Sequence, residues 1–418
     1  MSLTDRAAAA RPHTSGRIGR GGPAAGRDDL RIFLVAGEHS GDALGGKLMT
    51  ALTALCKGRI HYLGVGGEQM ERAGLASQFP LSDVAVMGPL SILPRLPRIL
   101  SRVYRTVDAA VAAEPDAVVI IDAPEFTHPI AKRIRKRAPS IPIIDYVSPS
   151  VWAWRPGRAR KMRPYVDHVM GLLPFEPAAH GRLGGPPCTY VGHPLIEKLD
   201  WMQDLDASVL ARRLQLDPAR PVLVVLPGSR TSEVSRLMQP FGAAIELLHA
   251  RRLHPQVIIP AVAHVRGMIE EGMQSWREKA HIVEGEDDKF HAFKLAHAAL
   301  AASGTVTLEL ALAGTPMVVA YKVDAVAARL RFLLKVPSVV LANLVLEENA
   351  FPEYLQEECT PENLANALEP LLRDTPESRA QLASLARVPH RMQLDHGTPS
   401  DAAAEIVLDY ATRGRRMD

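Results

Sequence analysis

Short runs of consecutive apolar residues recur along this chain, each followed by a loop of small or polar residues and then by a helical pattern. Residues 31–35, Ala117–Ile121 and Val222–Leu226 are clear examples. Continuous apolar runs of this length are typical of parallel strands that are covered on both faces. The same pattern predicts strands at residues 141–147, 168–173, 257–262, 281–283, 298–302 and 317–320. The alternation of strands with helices predicts an α/β fold.

The pattern restarts at residue 222, after a polar, helix-rich connection over residues 197–220. We therefore expect two Rossmann-like, doubly wound parallel-sheet domains, with a cleft between them. Their predicted boundaries are residues 30–198 and 199–360, and residues 361–418 are predicted to form a helical C-terminal tail. Thr360-Pro361 and Thr398-Pro399 are typical helix starts. Residues 1–29 have almost no large apolar side chains, so we expect a disordered N-terminal tail.

Composition and charge exclude several classes of protein. The 418 residues are 47% hydrophobic and 23% charged, as in ordinary soluble proteins. No apolar run approaches the ~18 residues that a membrane-spanning helix needs. The three cysteines are too far apart for a metal site or a disulfide framework, which favours the cytoplasm. The net charge of +3 gives no reason to expect a nucleic-acid partner.

Residues 300–322 predict a ligand cradle, because they combine a strand, a small-residue loop, a short helix and a second strand. Ser303 and Gly304 let the backbone turn sharply, and Thr305 is placed to cap the following helix. Such a helix start directs unpaired N–H groups at a phosphate. Glu309, one turn further on, could accept hydrogen bonds from sugar hydroxyls. An ordinary βαβ unit without a ligand explains the same pattern.

Two further loops follow predicted strands. Arg230 lies after Val222–Leu226, where its planar guanidinium could clamp a diphosphate. The first loop of the chain, AGEHSGD at residues 36–42, does not have the GxGxxG fingerprint, so we do not expect NAD. Asp204-Leu205-Asp206 is a DxD pattern, by which one class of sugar transferases holds a divalent metal, but it lies in the connection between domains, so we do not expect a metal there. Together these features indicate a transferase that binds a nucleotide-sugar.

Asp122 follows the buried strand Ala117–Ile121, and Glu125 comes three residues later. Carboxyl ends of strands are where α/β folds place chemistry, so Asp122 could take a proton from an acceptor hydroxyl. The alternative is that Asp122 caps a helix. Two tryptophans follow a later strand, in the sequence SPSVWAWR. They could form one wall of a ligand site or pack under a helix. A run of basic residues comes next.

The segment from residue 86 to residue 105 alternates large apolar residues with arginines. A single apolar face with arginines beside it would suit an anionic membrane surface or an acyl chain. The alternative is a helix that packs on the sheet with a solvated basic edge. The apolar positions are Ile92, Leu93, Leu96, Ile99, Leu100 and Val103, and the arginines are Arg95, Arg98, Arg102 and Arg105.

A series of motifs, in order from about residue 31 to the end of the chain, resembles the lipid-A-disaccharide synthase family. They are GEHSGD, MGPLSILPRL, IDAPEF, YVSPSVWAWRPGR, LPFE, YVGHPL, LPGSRTSEV, ASGTVTLELALAGTPMVVAY and LANLVLEENAFPEYLQEEC. The resemblance implies a GT-B fold with two Rossmann-like domains. It implies an inverting glycosyltransferase that forms the β(1→6) disaccharide 1-phosphate of lipid A and releases UDP. The implied donor is UDP-2,3-diacylglucosamine, and the implied acceptor is 2,3-diacylglucosamine 1-phosphate.

The resemblance also implies a peripheral protein on the cytoplasmic face of the inner membrane of Gram-negative bacteria. No metal or cofactor is implied, and the helical tail is implied to return to the first domain or to be exchanged within a homodimer. The membrane-facing patch is implied around Leu93, with Ile92, Leu96, Arg95 and Arg98.

Roles in the site are also implied by the resemblance. Asp122 resembles the catalytic base, and Glu38 is a second candidate for that role. The implied substrate- and UDP-binding residues are Ser40, Gly41, Arg230, Ser303, Gly304, Thr305, Glu309, Asn343 and Gln356. The sequence departs from the family pattern at His39, where a small residue is usual, and at Glu125, where Asp is usual.

Three alternatives stay open at this point. A UDP-sugar 2-epimerase would share the fold and the nucleotide cradle, but would not use the Arg-rich apolar segment. Another lipid-acceptor GT-B glycosyltransferase would keep that segment but is not expected to contain YVSPSVWAWR. A binding protein without catalysis would need no base at Asp122.

Overall fold

The computed structural model describes residues 29–85, 96–323 and 336–413. The predicted tail before Asp29 lies outside the described residues, as do Ile92, Leu93 and Arg95. The described strands form two six-stranded sheets, and every strand pair is parallel. The predicted pair of doubly wound α/β sheets is therefore confirmed.

The first sheet has the strand order β2-β1-β3-β4-β5-β6, and the second has the order β12-β11-β10-β7-β8-β9. The strands are β1 Leu30–Ala36, β2 Ile60–Val65, β3 Ala117–Ile121, β4 Ile143–Tyr146, β5 His168–Gly171, β6 Cys188–Tyr190, β7 Val222–Leu226, β8 Gln256–Pro260, β9 His281–Val283, β10 Ala298–Ala302, β11 Met317–Tyr321 and β12 Glu353–Leu355. All five residues of β3, β7 and β10 are buried, which explains their continuous apolar sequences.

Helices cover both faces of each sheet, so each domain has a core on either side of its strands. The described helices are α1 His39–Leu55, α2 Glu68–Arg72, α3 Leu96–Ala113, α4 Pro124–Arg137, α5 Gly157–Met162, α6 Glu176–Leu183, α7 Leu199–Asp204, α8 Ser208–Arg213, α9 Thr231–Ala250, α10 Arg266–Gly272, α11 Glu286–Leu295, α12 Val306–Leu312, α13 Leu341–Leu346, α14 Pro361–Leu371, α15 Pro376–Met392 and α16 Pro399–Arg413. Within the described ranges, no helix is long and apolar enough to span a bilayer.

The last three helices divide between the two domains. Leucines of α14 belong to one core of the second sheet, and a leucine of α15 belongs to the other. The final helix α16 instead packs against α1 through Ala403, Ala404 and Val407, in a core of the first sheet. Both predicted helix starts are present, since Thr360 accepts a hydrogen bond from the Asn363 amide at 3.2 Å and Thr398 accepts one from the Asp401 amide at 3.2 Å.

Helix α3 differs from the single apolar face predicted for the Arg-rich segment. Val103 and the residues one turn on from it face the core, and Val103 is 2% exposed. Leu96, Leu100 and Tyr104 point to solvent, with 43%, 44% and 53% of their surface exposed. The spacing of apolar residues alone did not separate these two faces, because both are hydrophobic. Arg102 lies between them and pairs with Asp83 at 2.6 Å.

Candidate active site

The strand order of each sheet reverses at one point, and a crevice forms there outside the carboxyl ends of the strands. In the first sheet this point lies between β1 and β3, and in the second it lies between β7 and β10. The loops at these two points contain the predicted residues Glu38, Asp122, Arg230 and Ser303. The topology thus places the candidate residues where this class of fold binds ligands.

Asp122 is held in an unusual backbone conformation directly after β3. Its φ is 53°, and the following Ala123 has φ of 43°, so two residues without glycine's freedom adopt the left-handed region. Backbone strain of this kind clusters at functional sites. The Asp122 carboxylate accepts a hydrogen bond from the Ser40 hydroxyl at 2.7 Å, and its carbonyl accepts one from Thr127 at 2.7 Å. The helix-cap alternative is not supported, because α4 starts after Ala123 without a side-chain cap.

Glu38 lies at the start of α1, in the same crevice as Asp122. Burial raises the pKa of the Glu38 carboxyl, and the nearby charge of Asp122 raises it further. Arg230 and His39 act in the opposite direction and lower this pKa. Because Arg230 belongs to the second domain, charges of both domains act on this carboxyl.

Gly41 allows α1 to pack close to the end of β3, next to Asp122, and it has no side chain that could contact a ligand. It is buried, and a Cβ atom there would lie 3.0 Å from the carbonyl oxygen of Ile121 at the end of β3. The adjacent Asp42 is also buried, and it accepts hydrogen bonds from three amides at the start of α2. The GEHSGD motif therefore supplies a framework for Glu38 and Ser40.

Arg230 lies at the start of α9, and Glu233 fixes the loop that contains it. The Glu233 carboxylate accepts hydrogen bonds from the amides of Ser229 and Arg230, at 3.1 and 3.2 Å, and from the Arg230 guanidinium at 2.9 Å. Gly228 has φ of 113°, and a Cβ there would come within 2.5 Å of Glu233. The glycine is therefore needed for this tight loop. The rest of the Arg230 side chain is open to solvent.

A cavity of about 370 Å³ lies between this loop and the start of α12. It brings together five predicted residues, which are Arg230, Ser303, Gly304, Thr305 and Glu309. Thr305 does not cap α12 through its side chain, so that expectation was wrong. Its backbone is already helical, and Thr307 bonds back to the Gly304 carbonyl instead. Ser303 donates to the carbonyl of Val339 at 2.8 Å, which ties the loop down.

Lys289 also lines this cavity and was not predicted. Its amine contacts both oxygens of the Glu309 carboxylate, at 2.9 and 2.8 Å. Glu309 therefore positions a cation, which differs from the predicted direct role toward sugar hydroxyls. The sequence around Lys289 gives no signal of this role, whereas Glu233 has capping-box spacing from Arg230 and could have been found.

Asn343 and Gln356 do not line the cavity. The Asn343 side chain is 2% exposed, and its amide bonds both the N–H and the carbonyl of Phe351 at 2.9 Å. It therefore stabilises the loop before β12. Gln356 follows β12 with φ of 52°, the same left-handed conformation that Asp122 has after β3. Gln356 thus lies at the carboxyl edge of the second sheet, where this class of fold binds ligands. An active-site role for Gln356 stays a prediction.

Two facing α/β domains, with a carboxylate pair at one switch point and an arginine-containing cavity at the other, define a protein with the architecture of GT-B glycosyltransferases. A model of the lipid-A-disaccharide synthetase family matches residues 32–407. The chain belongs to the lipid-A-disaccharide synthase family, and it is a glycosyltransferase.

Relatives named lipid-A-disaccharide synthase cover nearly the whole chain. The one from Bradyrhizobium diazoefficiens is 50% identical over 393 residues, which are 94% of this chain and 99% of the relative. The one from Rhodospirillum centenum is 44% identical over 385 residues, 92% of this chain and 95% of the relative. The resemblance inferred from the sequence motifs is confirmed.

Solved structures with little sequence similarity share the fold. UDP-GlcNAc 2-epimerase from Neisseria meningitidis, bound to UDP-GlcNAc, has a TM-score of 0.59 at 13% identity and covers 92% of this chain and 100% of its own. Acinetobacter baumannii MurG has a TM-score of 0.52 at 14% identity and covers 91% and 99%. At such low identity these likenesses concern the fold alone, so they do not favour the epimerase alternative.

Proposed function

We propose that this enzyme transfers a diacylglucosamine unit from UDP-2,3-diacylglucosamine to the 6-hydroxyl of 2,3-diacylglucosamine 1-phosphate. The products are the β(1→6)-linked disaccharide 1-phosphate and UDP. The observation that supports this most directly is the chemistry of the two edges: Glu38 and Asp122 follow strands of one sheet, and Arg230 lines a cavity at the edge of the other. Such edges can remove a proton on one side and bind a diphosphate on the other.

Asp122 acts as the general base in this mechanism. Its carboxylate accepts the proton of the acceptor 6-hydroxyl as that oxygen attacks the anomeric carbon from the face opposite UDP, so the configuration inverts. The hydrogen bond from Ser40 and the strained backbone after β3 fix the direction of the carboxylate. Positioning of this kind is needed because a base must lie within hydrogen-bonding reach of the proton that it removes.

Negative charge develops on the departing UDP, and the cavity of the second domain stabilises it. Arg230 presents a guanidinium that is anchored by Glu233, and Lys289 presents an amine that is anchored by Glu309. Because their positions are fixed before the reaction, these donors need little reorganisation when the charge appears. Every step of this mechanism uses groups of the chain itself.

We also propose that the enzyme binds the membrane surface that holds its lipid substrates, through α3. Leu96, Leu100 and Tyr104 form an exposed stripe at successive turns of this helix, and Arg98 lies beside them. Apolar side chains with neighbouring cations suit the interface of an anionic membrane.

The activity is tested with purified protein, both substrates and a chelator, with the acceptor present or omitted. We expect UDP release only with the acceptor, together with a tetraacyl disaccharide on thin-layer chromatography. Consumption or isomerisation of the UDP-sugar without acceptor would instead assign a hydrolase or an epimerase.

Sedimentation with vesicles of phosphatidylethanolamine and phosphatidylglycerol tests the membrane proposal. Replacing Leu96, Leu100 and Tyr104 with serine removes apolar contacts that each contribute ~1 kcal/mol or more, so we expect at least a tenfold loss of binding. Leu382→Ser is the control, because Leu382 is also 46% exposed but lies on α15. Equal loss in the control would contradict a specific role for the stripe.

A further inference from the structure

A second cavity, of about 430 Å³, lies between α4 and α5 in the first domain. Four cationic side chains line it, which are Lys132, Arg155, Arg158 and Lys161. Arg158 pairs with Glu125 at 2.7 Å. In the part of the chain that the structure describes, the other three have no carboxylate within ion-pair distance. We call this cavity the basic pocket.

Aromatic rings rather than carboxylates hold two of these cations. The Arg155 guanidinium lies 4.2 Å from the centre of the Trp154 ring, and the Lys132 amine lies 5.0 Å from the centre of the Tyr165 ring. A cation–π contact orients a cation but leaves its N–H donors free for an anion. In the cavity of the second domain, by contrast, both cations are paired with glutamates.

The backbone and the buried residues of the basic pocket also indicate a preorganised binding site. Arg155 has φ of 54°, a strained conformation for a residue other than glycine. His128 is 3% exposed and contacts the Tyr165 hydroxyl at 2.9 Å through Nδ1. Its Nε2 lies 3.3 Å from a carboxylate oxygen of Asp145, a fully buried residue that receives no hydrogen bond within the described chain.

Helix α4 connects the basic pocket to the catalytic centre. The pocket-lining residues Pro124, His128 and Lys132 recur every four positions, so they share one face of α4, which begins two residues after Asp122. A ligand bound in the basic pocket is therefore placed by the same rigid element that positions the base.

We propose that the basic pocket binds the phosphate monoester of the acceptor sugar while the 6-hydroxyl, on the other side of the ring oxygen, faces Asp122. The proposal rests on the proposed function, because that function provides an acceptor with a phosphate. Four cations and one glutamate give the pocket a net charge of +3, which suits a group with nearly two negative charges at neutral pH. The pocket thereby selects phosphorylated acceptors and holds them in one orientation.

Kinetics with two acceptors test this proposal: diacylglucosamine 1-phosphate and the same compound without its phosphate. Lys132→Ala and Lys161→Ala each remove a charge-assisted contact, so KM for the phosphorylated acceptor should rise about tenfold or more. KM for the donor and for the acceptor without phosphate should stay within about twofold. Lys136→Ala is the matched control, because Lys136 is exposed one turn further along α4 and outside the pocket.

The preference for the phosphorylated acceptor should disappear in the Lys132→Ala/Lys161→Ala double variant. Retention of that preference, or an equal rise of KM in Lys136→Ala, would overturn the proposal. Binding of glucosamine 1-phosphate, glucosamine and inorganic phosphate to the full-length protein, measured by calorimetry without donor, separates the sources of the anion. Tight binding of inorganic phosphate alone would assign the pocket to free phosphate and reject the acceptor.

The two proposals fail in different ways. If wild-type protein released no UDP in the presence of the acceptor, the proposed function would fail. Even then, the basic pocket would be established as a sugar-phosphate site if wild-type protein bound glucosamine 1-phosphate and the double variant did not. If the enzyme were active but the double variant bound glucosamine 1-phosphate normally, only the basic pocket would be rejected.

Discussion

The two sheets have the same construction but opposite chemistry at their switch points. The loops after β1 and β3 place the carboxylates of Glu38 and Asp122 together, and one of them has a raised pKa. The edge of the second sheet instead presents two cations, Arg230 in the loop after β7 and Lys289 on α11, each anchored by a glutamate. Since the folds of the two halves are alike, the difference in chemistry comes from a few residues at these edges.

The two edges also position their charged side chains in different ways. Asp122 is directed by strained backbone and by one hydroxyl, from Ser40. Arg230 lies in unstrained backbone and is directed by a network centred on Glu233. We infer that the first edge exchanges a proton and the second binds a fixed charge, and each inference leads to a separate test.

Asp122→Asn should have the largest effect. The amide keeps the size of the side chain and tolerates the left-handed backbone, so the variant should fold. It cannot act as a base, so kcat/KM should fall about 1000-fold while the affinity for UDP stays unchanged. Ser40→Ala removes only the orienting hydrogen bond and should cost about tenfold or less. Near-normal turnover of Asp122→Asn would end the assignment of the base.

Arg230→Ala tests the other edge and should reduce kcat/KM about 100-fold or more. Unlike Asp122→Asn, it should also weaken the binding of UDP, which calorimetry measures directly. Arg230→Lys should restore part of the loss, because lysine keeps the charge but not the planar donor pair. Arg236→Ala, on the same helix but outside the cavity, is the control. Unchanged UDP affinity in Arg230→Ala would remove the arginine from the donor site.

The sequence predicted the central strands because burial on both faces requires continuous apolar runs. The predicted ranges of β3, β7, β9 and β10 coincide with the observed strands. Of the four edge strands, β9 was predicted, whereas β2, β6 and β12 were missed. Polar or exposed residues interrupt the apolar sequence in each of these three strands, so none has the continuous apolar run of a buried strand.

The site was predictable where the chemistry follows the end of a strand, as at Asp122 and Arg230. It was not predictable where a role depends on packing between distant segments. Lys289 on α11 reaches Glu309 on α12 at a shared cavity, and twenty residues separate the two side chains in sequence. Asn343 had the same motif support as Arg230, but burial uses its amide to hold Phe351.

The smallest expected effect concerns the stability of the acidic edge. Glu38 has a raised pKa in the folded protein, so the folded state holds this proton more tightly than the unfolded state does. Its contribution to stability is therefore present at acid pH and is lost as pH rises through the raised pKa. Glu38→Gln removes the titration, and it should increase the free energy of unfolding relative to wild type by under about 1 kcal/mol at pH 7.5.

This gain should shrink toward pH 4.5, the ordinary pKa of the Glu38 carboxyl. Chemical denaturation at several pH values measures it, and groups that titrate equally in both proteins cancel in the difference. The gain should also be smaller in an Asp122→Asn background, because the Asp122 charge is the second cause of the shift. A gain that did not depend on pH would mean that Glu38 is strained by packing rather than by charge. If Glu38→Gln kept its turnover, Asp122 would remain the assigned base. If Glu38→Gln lost its turnover, proton transfer would be assigned to Glu38.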